Sequence, residues 1–224
     1  MSDTGDRKAP AQPGKEPEGR PLPKRFYTRA TTGPADQGFT ILLDQRPVRT
    51  PRRAPLVVAT QPLAEAIAAE WQAQGEHVDP TGMPLTRLAN TALDGVTGRE
   101  ADVKADIVKY AGSDLLCYRA DYPDGLVQRQ ADLWDPVLAW YVATHGAPFT
   151  VATGLMPVAQ TPAALAAIDA LLADADPFKL AATHIMTTLM GSALLALAVS
   201  EGHLTAEAAW EAAHVDEDWQ ISEW

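Results

Sequence analysis

The sequence predicts an α+β protein: a small antiparallel β-rich N-terminal module at residues 24–60, then a larger all-helical domain at 61–224, both preceded by a disordered tail at 1–23. Three observations carry this expectation. Short runs of β-branched and aromatic residues, punctuated by Pro, Gly and Asp, end near Thr60. Beyond Thr60 the apolar residues recur at helical spacing. The chain has 224 residues, 46% of them apolar, which is ample for a core.

Met1 to Pro23 is rich in Pro, Gly, Lys and Glu, with little apolar beyond Leu22. Such a segment cannot offset the entropy of its own ordering. Phe26-Tyr27-Thr28 and Phe39-Thr40-Ile41-Leu42-Leu43 then read as strands, separated by the breaker-rich loop Gly33-Pro34-Ala35-Asp36-Gln37-Gly38. Asp44-Gln45-Arg46-Pro47 turns the chain into Val48-Arg49-Thr50, and Leu56-Val57-Val58 follows. Thr60 is placed to cap a helix with Pro62 and Glu65 in its first turn, with Leu63, Ile67 and Trp71 at core spacing, and Gly75 ends it. Further helices are predicted from about Leu85 to Val96, Arg99 to Ala111, Gly125 to Thr144, Pro162 to Ala173, Phe178 to Ser200 and Thr205 to Ala213. Leu180 to Ser200 carries no Asp, Glu, Lys or Arg and is long enough to span a bilayer. Its His184, its threonines and the lack of a flanking basic cluster instead predict a helix packed by neighbours on all sides, with no membrane insertion.

Charge is unevenly distributed. Up to Arg53 the balance is +5; beyond it the balance is −16, for a net charge of −11. An acidic body argues against nucleic acid as a partner and favours a positively charged protein surface. The single cysteine, Cys117, excludes an internal disulfide framework and a multi-cysteine zinc site, and its apolar surroundings predict a buried, inert thiol. The acidic first residues have no apolar signal segment and do not resemble a transit peptide.

Catalytic patterns are weak. His77, His145, His184, His203 and His214 are scattered, with no helical His-x-x-x-His pair, so neither a metal nor a cofactor is assigned. Ala111-Gly112-Ser113-Asp114 lacks the second glycine of a nucleophile elbow, and Ser113 or Asp114 more simply caps the next turn. Arg87, Asn90 and Asp94 lie at i, i+3 and i+7 on one helix face. They are expected to form a structural polar network with Asp106 or Asp114. The enzymatic alternative is a small helical hydrolase or metal-dependent enzyme using Asp106, Asp114 and a histidine.

The carboxyl-terminal segment His214-Val215-Asp216-Glu217-Asp218-Trp219-Gln220-Ile221-Ser222-Glu223-Trp224 packs carboxylates around two tryptophans, and no Lys or Arg follows Lys179. Aromatic rings supply contact area and rim charges supply steering, so the pattern suits macromolecular recognition. The competing reading folds both tryptophans onto the body and leaves the acids in water.

Six motifs occur in order: Lys24-Arg25-Phe26-Tyr27, Leu43-Asp44-Gln45-Arg46-Pro47-Val48-Arg49-Thr50-Pro51, Ala66-Ile67-Ala68-Ala69-Glu70-Trp71, Met83-Pro84-Leu85-Thr86-Arg87-Leu88-Ala89-Asn90-Thr91-Ala92, Tyr110-Ala111-Gly112-Ser113-Asp114-Leu115-Leu116-Cys117-Tyr118-Arg119 and Asp216-Glu217-Asp218-Trp219-Gln220-Ile221. Together, over Lys24 to Trp224, the chain resembles the ATP-twelve family, the F1-ATPase assembly chaperones of mitochondria and alphaproteobacteria; the turn at Asp44-Gln45-Arg46 lacks the family's usual glycine. The resemblance implies a non-enzymatic binding protein without cofactors, whose partner is the unassembled alpha subunit of F1-ATPase until the beta subunit takes its place. Eukaryotic relatives would lie in the mitochondrial matrix, and the lack of a transit-peptide pattern at the start points to the bacterial cytoplasm for this chain. Uncompensated acidity and the last motif together point to Asp216, Glu217, Asp218 and Trp219 as client-binding residues, with Glu211 and Glu223 as rim charges.

Overall fold

The computed structural model describes residues 21–154 and 156–224. Most of the tail expected at 1–23 lies outside the described residues. Its last residue, Pro23, accepts a backbone hydrogen bond from Val78 N at 2.9 Å.

Alternation in Phe39–Leu43 builds the central strand of a small antiparallel sheet. Strand β1 (Ala30–Ala35) pairs with β2 (Gly38–Leu43), in register from Ala30 opposite Leu43 to Ala35 opposite Gly38. Strands β3 (Arg46–Pro47) and β4 (Val57–Val58) pair antiparallel with opposite ends of β2. Strand β1 corrects the sequence reading, which places a loop over Gly33-Pro34-Ala35. Proline is tolerated because β1 pairs only with β2, leaving its other edge free of a ladder among the described residues. Conversely, Phe26-Tyr27-Thr28 joins no ladder. Asp44 holds this segment by accepting from Thr28 N and Arg29 N, each at 2.9 Å, and Tyr27 donates its hydroxyl to the Trp71 carbonyl at 2.7 Å. The Leu43–Arg46 hairpin turns through Asp44 (φ 45°) and Gln45 (φ 70°), both left-handed, as a two-residue turn requires.

Helix α1 (Gln61–Gln72) lies on this sheet and buries Ala64, Ile67 and Ala68 with Ile41, Leu43, Leu56 and Val58. Thr60 occupies the position before it, but its side chain makes no capping bond. Glu70 near the end of α1 caps the next helix instead. Its carboxylate accepts from Leu85 N (2.6 Å), Thr86 N (2.8 Å) and Thr86 Oγ1 (2.8 Å) at the start of α2 (Pro84–Thr91). A π turn, Ala92–Val96, continues α2.

The remaining helices are α3 (Glu100–Ala111), α4 (Asp124–His145), α5 (Pro162–Leu171), α6 (Pro177–Met190), α7 (Ala193–Ser200), α8 (Ala206–Ala213) and α9 (Val215–Ser222). A parallel pair of two-residue strands, β5 (Tyr118–Arg119) and β6 (Ala152–Thr153), links the loops around α4. The single helix predicted over 178–200 is two helices. Gly191 takes a left-handed conformation (φ 64°) that ends α6, and Ser192 Oγ accepts from Leu195 N to start α7. Six consecutive residues of α7, Ala193 to Ala198, are fully buried. Tyr141 donates to the Leu194 carbonyl and Trp134 Nε1 to the Ala212 carbonyl, so α4 holds α7 and α8 in place. No helix among the described residues is long and apolar enough to cross a membrane.

Candidate functional site

Helices α8 and α9 carry the acidic end of the chain. Thr205 Oγ1 caps α8 by accepting from Ala208 N at 3.2 Å. Ala209, Ala212 and Ala213 face the core, which leaves Glu207, Trp210 and Glu211 on the exposed side. The chain turns at His214, and Val215 is buried. Asp216, Glu217 and Asp218 occupy the first turn of α9, where unpaired N–H groups and the helix dipole favour carboxylates. Part of the segment's acidity therefore has a local cause.

The expected site residues separate into two groups. Asp216 accepts from Gln130 Nε2 at 2.7 Å, and buried Gln130 accepts from Ala120 N at 2.8 Å. Trp219 lies so close over Gly125 that a Cβ there would collide with its ring. Both residues thus tie α9 to α4. Asp218 and Glu211 instead line an open hollow of about 470 Å³ with Ala206, Glu207 and Trp210. Asp216, Glu217, Trp219 and Glu223 are not among its lining residues; Glu217 and Glu223 are exposed elsewhere on α9 and just beyond it. The sequence reading missed Glu207 and Trp210 as members of this surface. Their signal was the spacing: Glu207, Trp210 and Glu211 at i, i+3 and i+4 share a helix face. Trp210 is half exposed and its ring packs against His214 at 3.9 Å between centroids, while His214 Nδ1 donates to the Trp210 carbonyl at 2.9 Å.

The four residues expected to form one polar network are not joined. Asp94 accepts from Thr50 Oγ1 (2.6 Å) and Arg52 N (3.0 Å), so the π turn holds the 50–54 loop of the sheet module. Arg87 is exposed, and the buried Asn90 Oδ1 has no hydrogen-bond partner among the described residues. Asp114 lies in the helical core, where it accepts from Ser192 Oγ (2.7 Å), Leu194 N (3.0 Å) and Leu116 N (3.2 Å). It caps both the short turn Leu115–Cys117 and the start of α7. Burial pushes its pKa up to about 6, against the opposing pull of those donors. The Cys117 thiol is pushed up to about 12 by burial and by the nearby Asp114 charge, which leaves it unreactive.

Asp106 Oδ2 accepts from His184 Nε2 at 2.7 Å, and Asp106 lines a small polar hollow with Lys109, Tyr110 and Ser113. Asp114 is not part of that hollow. The enzymatic alternative needs both carboxylates to face one space, and they do not. Among the described residues no group of three or more His, Cys, Asp or Glu is placed to hold a metal ion.

Comparison with known proteins connects this fold to a function. The family model described as ATP12 chaperone protein matches residues 24–142. The structure of Atp12 from Paracoccus denitrificans is 42% identical, with a TM-score of 0.85 over 90% of this chain and 87% of that one. An aspartate-to-lysine variant of the same Atp12p gives 42% identity and a TM-score of 0.85, covering 90% of this chain and 86% of that one. Atu1473 from Agrobacterium tumefaciens is 48% identical, with a TM-score of 0.88, covering 92% of this chain and 78% of that one. The family match extends over the sheet module, α1 to α3 and most of α4, and the structural matches cover 90–92% of the chain; the chain belongs to the ATP12 chaperone family.

Proposed function

We propose that this chain binds the unassembled alpha subunit of F1-ATPase, shields its interface from aggregation, and yields it to the beta subunit. The observation that carries this reading is the acidic, tryptophan-bearing surface of α8 and α9, set on the fold of a chaperone family. A subunit waiting for its neighbour exposes an interface that self-associates in isolation. Covering it takes contact area and charge complementarity, and handover takes an affinity low enough for the rightful neighbour to compete. Neither demands nucleotide chemistry.

Exposure and the lining of the hollow support a narrower set of client-contact residues within this reading. Glu211 and Asp218, with Glu207 and Trp210, form the exposed surface, with Glu217 and Glu223 as outlying charges. Asp216 and Trp219 act by holding α9 against α4. The test is co-expression of the alpha subunit with a Glu211→Lys and Asp218→Lys double variant, alongside the parent chain. The parent is expected to keep the alpha subunit soluble and to co-purify with it, and the variant is expected to lose both while retaining its thermal midpoint. Equal retention by a folded variant would place the contact elsewhere. Failure of the parent to retain alpha would overturn the client assignment.

A further inference from the structure

A second feature adjoins the acidic hollow. Met186, Leu189 and Met190 of α6, Val199 of α7, and Ala206 and Trp210 of α8 enclose a notch of about 110 Å³ with almost wholly apolar walls. Leu189 is 64% exposed and Trp210 is 52% exposed, so two large apolar side chains stand in water at its lip. Apolar surface rimmed by polar groups marks interaction sites. Ala206 and Trp210 also line the acidic hollow, which makes the two continuous, with the Trp210 ring between them.

We propose that this notch is the anchor pocket for a client segment in which one large apolar side chain has Lys or Arg beside it. The inference rests on the chaperone reading above and names the chemistry that its client must present. Three observations select this occupant. The notch has room for one aliphatic or thioether side chain, not for a helix face. Its neighbours across Trp210 are Glu207, Glu211 and Asp218, for which no ion pair is formed among the described residues. The last cation in the sequence, Lys179, is bound to Glu201 at 2.9 Å, so no basic side chain from this part of the chain meets those acids. A basic residue next to the anchor lands on the carboxylates when the apolar side chain enters the notch. The methionine walls adapt to more than one anchor shape, which suits a transient complex. Desolvating the anchor sets the residence time and the acids set the encounter rate.

The test uses the full chain with a photo-crosslinking benzoylphenylalanine replacing Leu189, co-expressed with the alpha subunit, and a second probe replacing exposed Phe26 as reference. The probe at 189 is expected to crosslink to alpha within a peptide whose apolar residue adjoins Lys or Arg. Leu189→Asp is expected to weaken retention of alpha at least about tenfold, the scale of losing an anchor residue. Ala206→Gln, at an exposed first-turn position, fills the notch from the other wall and is expected to give a comparable loss with the fold unchanged. Glu207→Gln with Glu211→Gln is expected to slow association several-fold at low salt, with dissociation unaltered. If alpha is retained at the parental level by both Leu189→Asp and Ala206→Gln, the notch is not the anchor, while the chaperone reading stands. Should the 189 probe crosslink only to copies of this chain, the notch is a self-association surface and the proposal falls. Absence of alpha from the parent complex overturns both.

Discussion

Replacing Asp114 by Asn tests the balance of forces at the centre of the helical core. The carboxyl is fully buried, and burial raises its pKa from 3.8 to about 6. Taking a carboxylate out of water costs several kcal/mol, and each hydrogen bond to it returns about 1.5–3 kcal/mol. Ser192, Leu194 and Leu116 supply three such bonds, and the α7 amino terminus adds its dipole. These offset the burial without cancelling it. Between pH 3.8 and about 6 the folded protein therefore holds a proton that the unfolded chain has released. Stability then falls as pH rises through this window and levels off above it. A rise of about two pKa units corresponds to about 3 kcal/mol at neutral pH. Asparagine does not titrate, so Asp114→Asn removes this slope; a pH-independent cost of about 1–3 kcal/mol appears instead, because its amide group turns a donor toward the Leu194 N–H or the Ser192 hydroxyl. Urea unfolding followed by tryptophan fluorescence, from about pH 4 to about pH 8, gives both stability curves. Subtracting them cancels the other titrating groups. The stability advantage of the parent over the variant is expected to shrink by about 2 kcal/mol between pH 4 and pH 7. A difference independent of pH would refute the reasoning, because the donors would then fully compensate burial.

Glu70→Ala removes three acceptor contacts at the start of α2 and is expected to cost about 1–2 kcal/mol in a denaturant midpoint; Glu70→Gln, which keeps one carbonyl oxygen, should fall between. Gln45→Gly relieves a side chain held at φ 70° and is expected to raise stability by about 0.5–1 kcal/mol, measured as a higher thermal midpoint. Gly125→Ala puts a methyl group into the Trp219 ring; it is expected to shift tryptophan emission and speed amide exchange in α9, with α7 exchange unchanged. Unaltered α9 exchange would show that this contact does not hold the helix.

The order of elements was legible because it depends on local pattern. The break between α6 and α7 was not, although its signal was present: Gly191-Ser192 is a left-handed stop followed by a helix cap, inside a run so apolar that periodicity masks it. Strand β1 was hidden for the opposite reason. Gly33-Pro34 reads as a breaker, and only the position of the strand at the sheet edge makes it tolerable. Long-range polar bonds were beyond reach altogether. Glu70 was visible only as part of a motif, and the sequence has no means of saying that its partners are Leu85 N and Thr86 N. The same limit undid the expected network. Asp94 sits on the anticipated helix face, but the partners that reach it are Thr50 and Arg52 of the sheet module, not Asp114.

The tryptophans of the last two helices show how the fold separates residues that sequence proximity groups together. Trp219 stands among the carboxylates in sequence, and Trp210 does not, so proximity favours Trp219 for recognition. For the proposed client surface, the fold favours Trp210. Trp219 lays part of its ring against Gly125 of α4. Trp210 is held from beneath by His214 and offers the rest of its ring to water, with acids on one side and the Met-walled notch on the other. An anchor there buries one side chain rather than a broad interface, and the neighbouring carboxylates mainly accelerate encounter. For the proposed handover this division matters. A complex built from one apolar anchor and screened charges dissociates quickly compared with an extensive subunit interface. On the proposed reading, a beta subunit that buries more of the client displaces the chaperone by mass action, without a fuelled release step.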